Sequence, residues 1–305
     1  MRILLQFPEG LKQKALEHAR RYESEGHEVF LSASACYGAC DLALDEAGWI
    51  KADKIVHFGH NRFIRGDLPV KIPVEYIDYK IDVDIPKLEA LLPHLAGMKT
   101  VALATTVQHI HQLEDMKAFF EKNGKRVLIG KGERAMLQGQ ILGCDGGAVK
   151  SVEKDADAVV FVGEGMFHPL AMETTKPAFA YNPSSGNAKR LDDDIARLRK
   201  RRKGSFTLAY SAKSFGILLS TKPGQFNMAG AQWAKKELEK RGRNAAIVTA
   251  NELEPMALKN FMSFDCYINT ACPRMADDTE EFGKPILNIG MLIELFKVID
   301  GEGKG

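Results

Sequence analysis

The chain has 305 residues, with 45% hydrophobic and 27% charged side chains and a net charge of +2. This balance is that of a folded globular protein large enough for two or three domains, which excludes bulk disorder. The near-neutral charge leaves no strong field for nucleic acid or a membrane surface, and no run approaches the ~18 apolar residues of a membrane span.

The opening MRILLQFPEG is short of an export signal and reads as a first strand, RILLQF at 2–7. The expected location is the cytosol. The loop PEG and a helical pattern through Leu11, Ala15, Leu16 and Ala19 follow. Next come the strand EVFLSAS (28–34), the loop CYGAC, a helix-like DLALDEAGW and the strand KIVHFGH (54–60).

The pattern restarts near Lys99. TVALATT (100–106) is a strand, a helix covers about 109–123, and KRVLIG (125–130) is a second strand. QILGCDGGA, a helix-like AVKSVEKDA and the strand AVVFVGEG (158–165) complete this stretch. The charged helix LDDDIARLRKRRKG has an acidic start and a basic end, which suits the helix dipole.

A third start lies at FGILLST (215–221). The loop KPGQ, a helix of about 228–241, the strand NAAIVTA (244–250), a helical NELEPMALKNF and the strand-like DCYINTACP (265–273) follow. One strand–loop–helix–strand–helix–strand unit thus occurs three times, with boundaries near Leu95–Lys99 and Lys203–Phe206. Such alternation predicts α/β units with parallel sheets covered on both faces, spanning 1–97, 98–204 and 205–305.

In such units ligands bind beyond the carboxyl ends of the strands. The loops PEG, TTVQH and TKPGQ occupy that edge, as do HFGH, GEGMFH and TACPR. The three edges are expected to surround one central site.

There are five cysteines, Cys36, Cys40, Cys144, Cys266 and Cys272. An odd number in a large chain argues against a disulfide framework. Cys40, Cys144 and Cys272 fall one per unit, each just before an expected helix, where free N–H groups favour the metal-binding thiolate. A structural zinc site is normally closed by four ligands. Three thiolates suit a [4Fe–4S] cluster with one iron open to substrate. Zinc with three sulfurs remains the metal alternative, with His57, His60 or His168 as a fourth ligand. Cys36 and Cys40 are spaced as in the radical S-adenosylmethionine signature Cys-x3-Cys-x2-Cys, but the third position is Ala43, so Cys36 reads as structural. Cys266, inside a strand, reads as core.

The motifs ACYGACD, DKIVHFGHNRF, ATTVQH, GQILGCD, GEGMFH and NTACPR, with FPEGL and STKPGQ, resemble the diphthamide-biosynthesis family, in its archaeal-type 2-(3-amino-3-carboxypropyl)histidine synthase form. The resemblance covers nearly the whole chain in order. It implies three Rossmann-like domains, a homodimer, and cluster ligands at Cys40, Cys144 and Cys272. The implied reaction moves the 3-amino-3-carboxypropyl group of S-adenosylmethionine to C2 of a histidine on translation elongation factor 2. The cluster would cleave the bond between sulfur and Cγ with an electron from an unidentified donor.

In that setting Gly10, Gly59 and Gly224 would let backbone approach the cofactor. Gln108 and Gln225 suit the methionyl group or adenine, and Arg274 suits cluster charge or a carboxylate. Glu9 is a candidate cap for the first helix. Two other readings are weighed against this one. Quinolinate synthase also combines three α/β units and three cysteines, with the open iron as a Lewis acid in a dehydration. A metal-stabilised partner subunit without catalysis is the other. The local motifs favour the diphthamide family.

Overall fold

The structure, a computed structural model, describes residues 1–62, 64 and 71–301. Phe63, the last residue of the motif DKIVHFGHNRF, lies outside the described residues. The chain divides into two compact units, Met1–Ile195 and Ala196–Gly305.

The first unit holds two sheets. One contains β1 (Arg2–Gln6), β2 (Glu28–Leu31), β3 (Lys54–Phe58) and β4 (Val74–Ile77), in the order β2-β1-β3-β4. The other contains β5 (Thr100–Thr105), β6 (Arg126–Leu128), β7 (Ala158–Val162), β8 (Ala178–Asn182) and β9 (Asn187–Arg190), in the order β6-β5-β7-β8-β9. The second unit holds β10 (Ser214–Ser220), β11 (Asn244–Ala250), β12 (Cys266–Asn269) and β13 (Ile286–Asn288), in the order β11-β10-β12-β13. The same order, second-first-third-fourth, recurs in every sheet. This is the repeat expected from the sequence, extended by the strands β4, β8 and β13, which hydrophobic pattern did not single out.

All pairings are parallel except β8 with β9, so the expected all-parallel sheets gain one antiparallel edge strand. Its NAKR sequence is polar and exposed, as an edge strand tolerates. Several strands end sooner than their apolar runs. β2 stops at Leu31 and β12 at Asn269, because the following residues turn away to form the loops that carry Cys40 and Cys272.

The helices are α1 (Ala15–Ser24), α2 (Leu44–Trp49), α3 (Leu113–Lys122), α4 (Gly147–Lys150), α5 (Phe167–Leu170), α6 (Asp192–Ser211), α7 (Met228–Lys240), α8 (Pro255–Lys259), α9 (Thr279–Phe282) and α10 (Ile289–Ile299). The long ones bury one stripe. α1 buries Ala15, Ala19 and Tyr22, α3 buries Leu113, Met116 and Phe120, and α7 buries Ala231, Ala234 and Leu238. These spacings of three or four residues place one face on the sheet. The Asn227 side chain caps α7 by accepting from the Gly230 N–H at 2.9 Å. Glu9 caps nothing. Pro8 precedes a 3-10 helix, Glu9–Lys14, and Glu9 sits inside it, paired to Lys12 at 2.6 Å. The boundary expected at Lys203–Phe206 falls within α6, which runs through it unbroken.

β7 is buried along its whole length, as a central parallel strand covered on both faces must be. One face packs on Leu88, Leu91, Leu95, Met116 and Phe120, all fully buried. A carboxylate one residue before the third strand of each sheet holds the start of the first strand. Asp53 accepts from the Arg2 N–H at 2.7 Å, Asp157 from Lys99 and Thr100 at 2.8 Å, and Asp265 from Lys213 and Ser214 at 2.9 Å. This repeated clasp orders the strand starts, so the opposite, carboxyl ends are left to carry loops.

No helix among the described residues is long and apolar enough to cross a membrane.

Candidate metal and substrate site

Cys40 and Cys144 occupy matching turns. The Asp41 N–H donates to the Gly38 carbonyl at 2.9 Å, closing a four-residue turn with Cys40 third. The Asp145 N–H donates to the Leu142 carbonyl at 3.1 Å, closing another with Cys144 third. The second turn is docked on the carboxyl end of β5 by the Ile141 N–H, which donates to the Thr105 carbonyl at 2.9 Å. Gly143 is required there by close approach: an added Cβ would lie 1.9 Å from a Phe167 ring carbon. Cys272 follows β12 and precedes a 3-10 helix, Pro273–Asp277, whose first turn closes on its carbonyl through the Met275 N–H at 3.0 Å.

One buried polar side chain ties down each cysteine loop. Gln6, at the end of β1, donates through Nε2 to the Asp41 carbonyl at 2.6 Å and accepts from the Ala43 N–H at 3.2 Å. The Asp145 carboxylate accepts from the Arg134, Ala135 and Gly147 N–H groups at 2.6, 3.0 and 2.8 Å. Asn269, at the end of β12, donates to the Cys272 carbonyl at 2.7 Å and accepts from the Ala271 N–H at 3.0 Å. Buried groups so satisfied hold backbone in one position. Sequence reasoning missed all three. The only local signal was a polar residue at the carboxyl end of an apolar strand, or directly after GC.

The three cysteines are partly exposed, whereas Cys36 and Cys266 are buried. Burial pushes the Cys36 thiol up to about 12 and raises that of Cys266 further. Those two sites favour neutral thiols, so Cys266 is the core residue expected. Short helices follow Cys40 and Cys144, of six and four residues. The expected lowering of the thiol by a helix N-terminus does not appear at Cys144. Burial raises it, and Arg134, hydrogen-bonded to the sulfur, opposes that rise. The positive partner of this thiolate is a side chain rather than a helix dipole.

Within the first unit, the loops after β3 and β5 meet. The Gln108 side chain donates to the Gly59 carbonyl at 2.8 Å, so these two expected residues are brought together. Asn61 and Gln140 exchange side-chain hydrogen bonds of 3.1 and 2.8 Å. That exchange ties the HFGHN segment to the one leading into Cys144. Gly59 has φ +81°, and a Cβ there would meet Pro8 at 3.0 Å, so it packs the PEG loop rather than standing open. Gly10, in the 3-10 helix, has open space in place of a Cβ.

His57 is fully buried, with its Nε2 3.1 Å from His60 Nδ1. Burial and the neighbouring ring push His57 down to about 3; burial and His168 push His60 down to about 4. Both rings are therefore neutral at physiological pH.

In the second unit, Gly224 and Gln225 lie in the turn between β10 and α7, where the Gln225 N–H donates to the Lys222 carbonyl at 3.0 Å. Lys222 itself is buried and pairs with Glu252, a residue of this edge that sequence reasoning did not name. Arg274 is paired with Asp277 at 2.9 Å, and Arg202 reaches the same carboxylate at 2.7 Å. The cationic site expected at Arg274 is thus part of a shared ion-pair group with Asp277 and Arg202.

Repeated α/β sheets, with one clasped cysteine loop at the carboxyl edge of each, define an α/β protein that presents thiols at the edge where such folds bind ligands. Comparison with known proteins gives the family. The family profile "Putative diphthamide synthesis protein" matches residues 7–300. The 2-(3-amino-3-carboxypropyl)histidine synthase of Pyrococcus horikoshii is 35% identical over 294 residues, covering 94% of this chain and 83% of that protein. The enzyme of the same name from Methanocaldococcus jannaschii is 31% identical over 305 residues, covering 93% of this chain and 81% of that protein. The crystal structure of Dph2 from Pyrococcus horikoshii with a 4Fe-4S cluster superposes with a TM-score of 0.87 at 33% identity, over 97% of this chain and 86% of that one. The chain belongs to the diphthamide-synthesis family, and it is an enzyme of the transferase class. This sets aside the quinolinate-synthase alternative.

Proposed function

We propose that the chain transfers the 3-amino-3-carboxypropyl group of S-adenosylmethionine to C2 of a histidine imidazole on translation elongation factor 2, leaving methylthioadenosine. The observation that carries this reading is the set of three partly exposed cysteines, each in a loop clasped by its own buried side chain, in a chain of this family. Cys266 is buried inside a strand as a thiol, and Cys36, also buried, is not one of this set.

In this reading the units 1–97, 98–204 and 205–305 each give one ligand, Cys40, Cys144 and Cys272, to a central [4Fe–4S] cluster. When bound, such a cluster keeps one iron open to the substrate and supplies the electron that breaks the sulfur–Cγ bond. The chain's own groups bind and orient. Arg134 favours the Cys144 thiolate. Arg274, paired with Asp277, would meet an anionic group such as the methionyl carboxylate. Gln108 and Gln225 present amide groups, and Gly10 leaves backbone open to close approach. Which C–S bond breaks then depends on how these groups aim the sulfonium. The working form is a homodimer in the cytosol, served by an electron donor whose identity remains to be found.

The test is anaerobic purification, absorbance and EPR spectra with and without dithionite, and the mass gained by elongation factor 2. Replacing Cys40, Cys144 or Cys272 by Ala should remove iron and lower transfer by more than about 100-fold. Cys266→Ala should spare both. If Cys40→Ala kept cluster and transfer while Cys36→Ala lost them, the ligand assignment would be wrong.

A further inference from the structure

Cys36 lies in the same loop as Cys40, yet the three-cysteine set does not use it. Its Sγ and one ring nitrogen from each of His57 and His60 lie within 4.8 Å of one another. Cys36 and His57 are buried, and His60 is partly exposed, which leaves an entry path.

The nitrogen spacing is close to that of a ligand pair. Two nitrogens bound tetrahedrally to one zinc ion at about 2.0–2.1 Å stand about 3.3–3.4 Å apart. His57 Nε2 and His60 Nδ1 are 3.1 Å apart. A movement of a few tenths of an ångström would bring the two nitrogens to that spacing, and the Cys36 side chain would close on the ion from within 4.8 Å.

The tautomer of His57 is also set. Gln6 cannot flip, because its Nε2 donates to the Asp41 carbonyl and its Oε1 accepts from the Ala43 N–H. The atom facing His57 Nδ1, at 2.9 Å, is therefore the acceptor Oε1. Nδ1 must donate, and the neutral ring turns the Nε2 lone pair toward His60. A ligating histidine whose other nitrogen donates to a fixed oxygen is the usual outer-shell arrangement of a metal site.

The charge balance points the same way. Burial, and after it the nearby Asp41 carboxylate, disfavour a bare Cys36 thiolate, which a cation would offset. A divalent ion with one thiolate and two neutral imidazoles has a charge of +1, which the Asp41 carboxylate offsets.

We propose that Cys36, His57 and His60 form a second, mononuclear site for a divalent cation of the zinc type, separate from the three-cysteine set. Binding releases the thiol proton of Cys36 to solvent. His60 moves its ring proton from Nδ1 to Nε2, and zinc takes the place of the hydrogen bond between the two rings. The fourth position stays open to water. The site stands whether or not Cys40, Cys144 and Cys272 hold iron.

The experiment loads the anaerobically reconstituted full chain with zinc, removes the excess, and counts zinc and iron in the same sample by mass spectrometry. The expected result is about one zinc per chain in addition to iron. Cys36→Ser and His60→Gln should each lower zinc about tenfold or more while iron is kept. A chain that retains no zinc overturns the site. So does zinc that survives Cys36→Ser, which would place the ion on other residues. Iron lost together with zinc in Cys36→Ser also overturns it, because Cys36 would then serve the cluster. Should Cys36→Ser fail to fold, the partly exposed His60→Gln decides by the same two counts. A sample with no iron but one zinc lost on Cys36→Ser sinks the cluster reading and upholds this one.

Discussion

The loops that carry Cys144 and Cys272 are each held by one buried side chain, and the two side chains differ in charge. Around Cys144 the clasp is the Asp145 carboxylate, taking three backbone N–H groups. Around Cys272 it is the Asn269 amide, which donates to one backbone carbonyl and accepts from one N–H. A carboxylate can only accept, so it suits a loop whose N–H groups converge. An amide does both, so it suits a loop that presents one of each. The strand order of the sheets is shared, and the direction of the loop backbone decides the residue. The carboxylate clasp is the stronger but answers to pH. The amide clasp is weaker and does not titrate.

The largest expected effect follows from removing the charged clasp. Asp145→Ala leaves three N–H groups without their acceptor, and the Ala135 N–H is buried. It should cost about 2–4 kcal/mol in chemical melts and most of the iron content. An unchanged midpoint would show that water replaces the carboxylate at no loss. Asn269→Ala removes neutral bonds and should cost about 1–2 kcal/mol, with iron reduced to a lesser degree. If Asn269→Ala proved the more damaging of the two, the ranking by charge would be wrong.

The pH response sharpens the contrast. Burial pushes the Asp145 carboxyl up, but the N–H groups of Ala135, Arg134 and Gly147 outweigh it and hold it below the usual carboxylate range. A folded-state value below the unfolded one means stability that is present above about pH 4 and lost as pH falls through the lower value. The strand-start clasps Asp157 and Asp265 are held low by backbone N–H groups in the same way and add to the acid limb. Asp145→Asn should flatten part of that limb in melts of the cluster-free chain between about pH 5 and 2. Asn269→Ala should shift the curve without changing its slope. The smallest effect is expected at Cys266→Ala. It deletes a buried sulfur that bonds to none of the three clasps of the cysteine loops, costing about 1 kcal/mol and leaving transfer intact.

Much of the architecture was legible in sequence because its signals are local. Runs such as AVVFV and FGILLS identify buried parallel strands by composition alone. The stripes of α1, α3 and α7 follow from spacing of three and four residues. The short strands β4, β8 and β13 carry no distinctive pattern, and they form because a neighbouring strand presents a free edge. The cysteine-bearing loops were likewise legible, through one cysteine per repeat placed between a strand and the next expected helix. Their clasps were not, since a Gln or Asn at the end of a strand has no periodicity that marks its partner.

The sequence by itself determined the repeat, the parallel sheets, a cysteine-bearing loop for each sheet and the family. Hydrophobic period and short motifs encode these without reference to distant residues. Only the tertiary structure decided which polar groups meet. Gln6 and His57 are separated by 51 residues, yet they face each other because β1 and β3 pair in a register that makes them Cα partners. With β2 paired on the other side of β1, the loop that holds Cys36 meets His57 and His60, which turns a cysteine that looked structural into a candidate ligand. Register across a crossover depends on the packing of whole strands and helices, and no local stretch of sequence contains it.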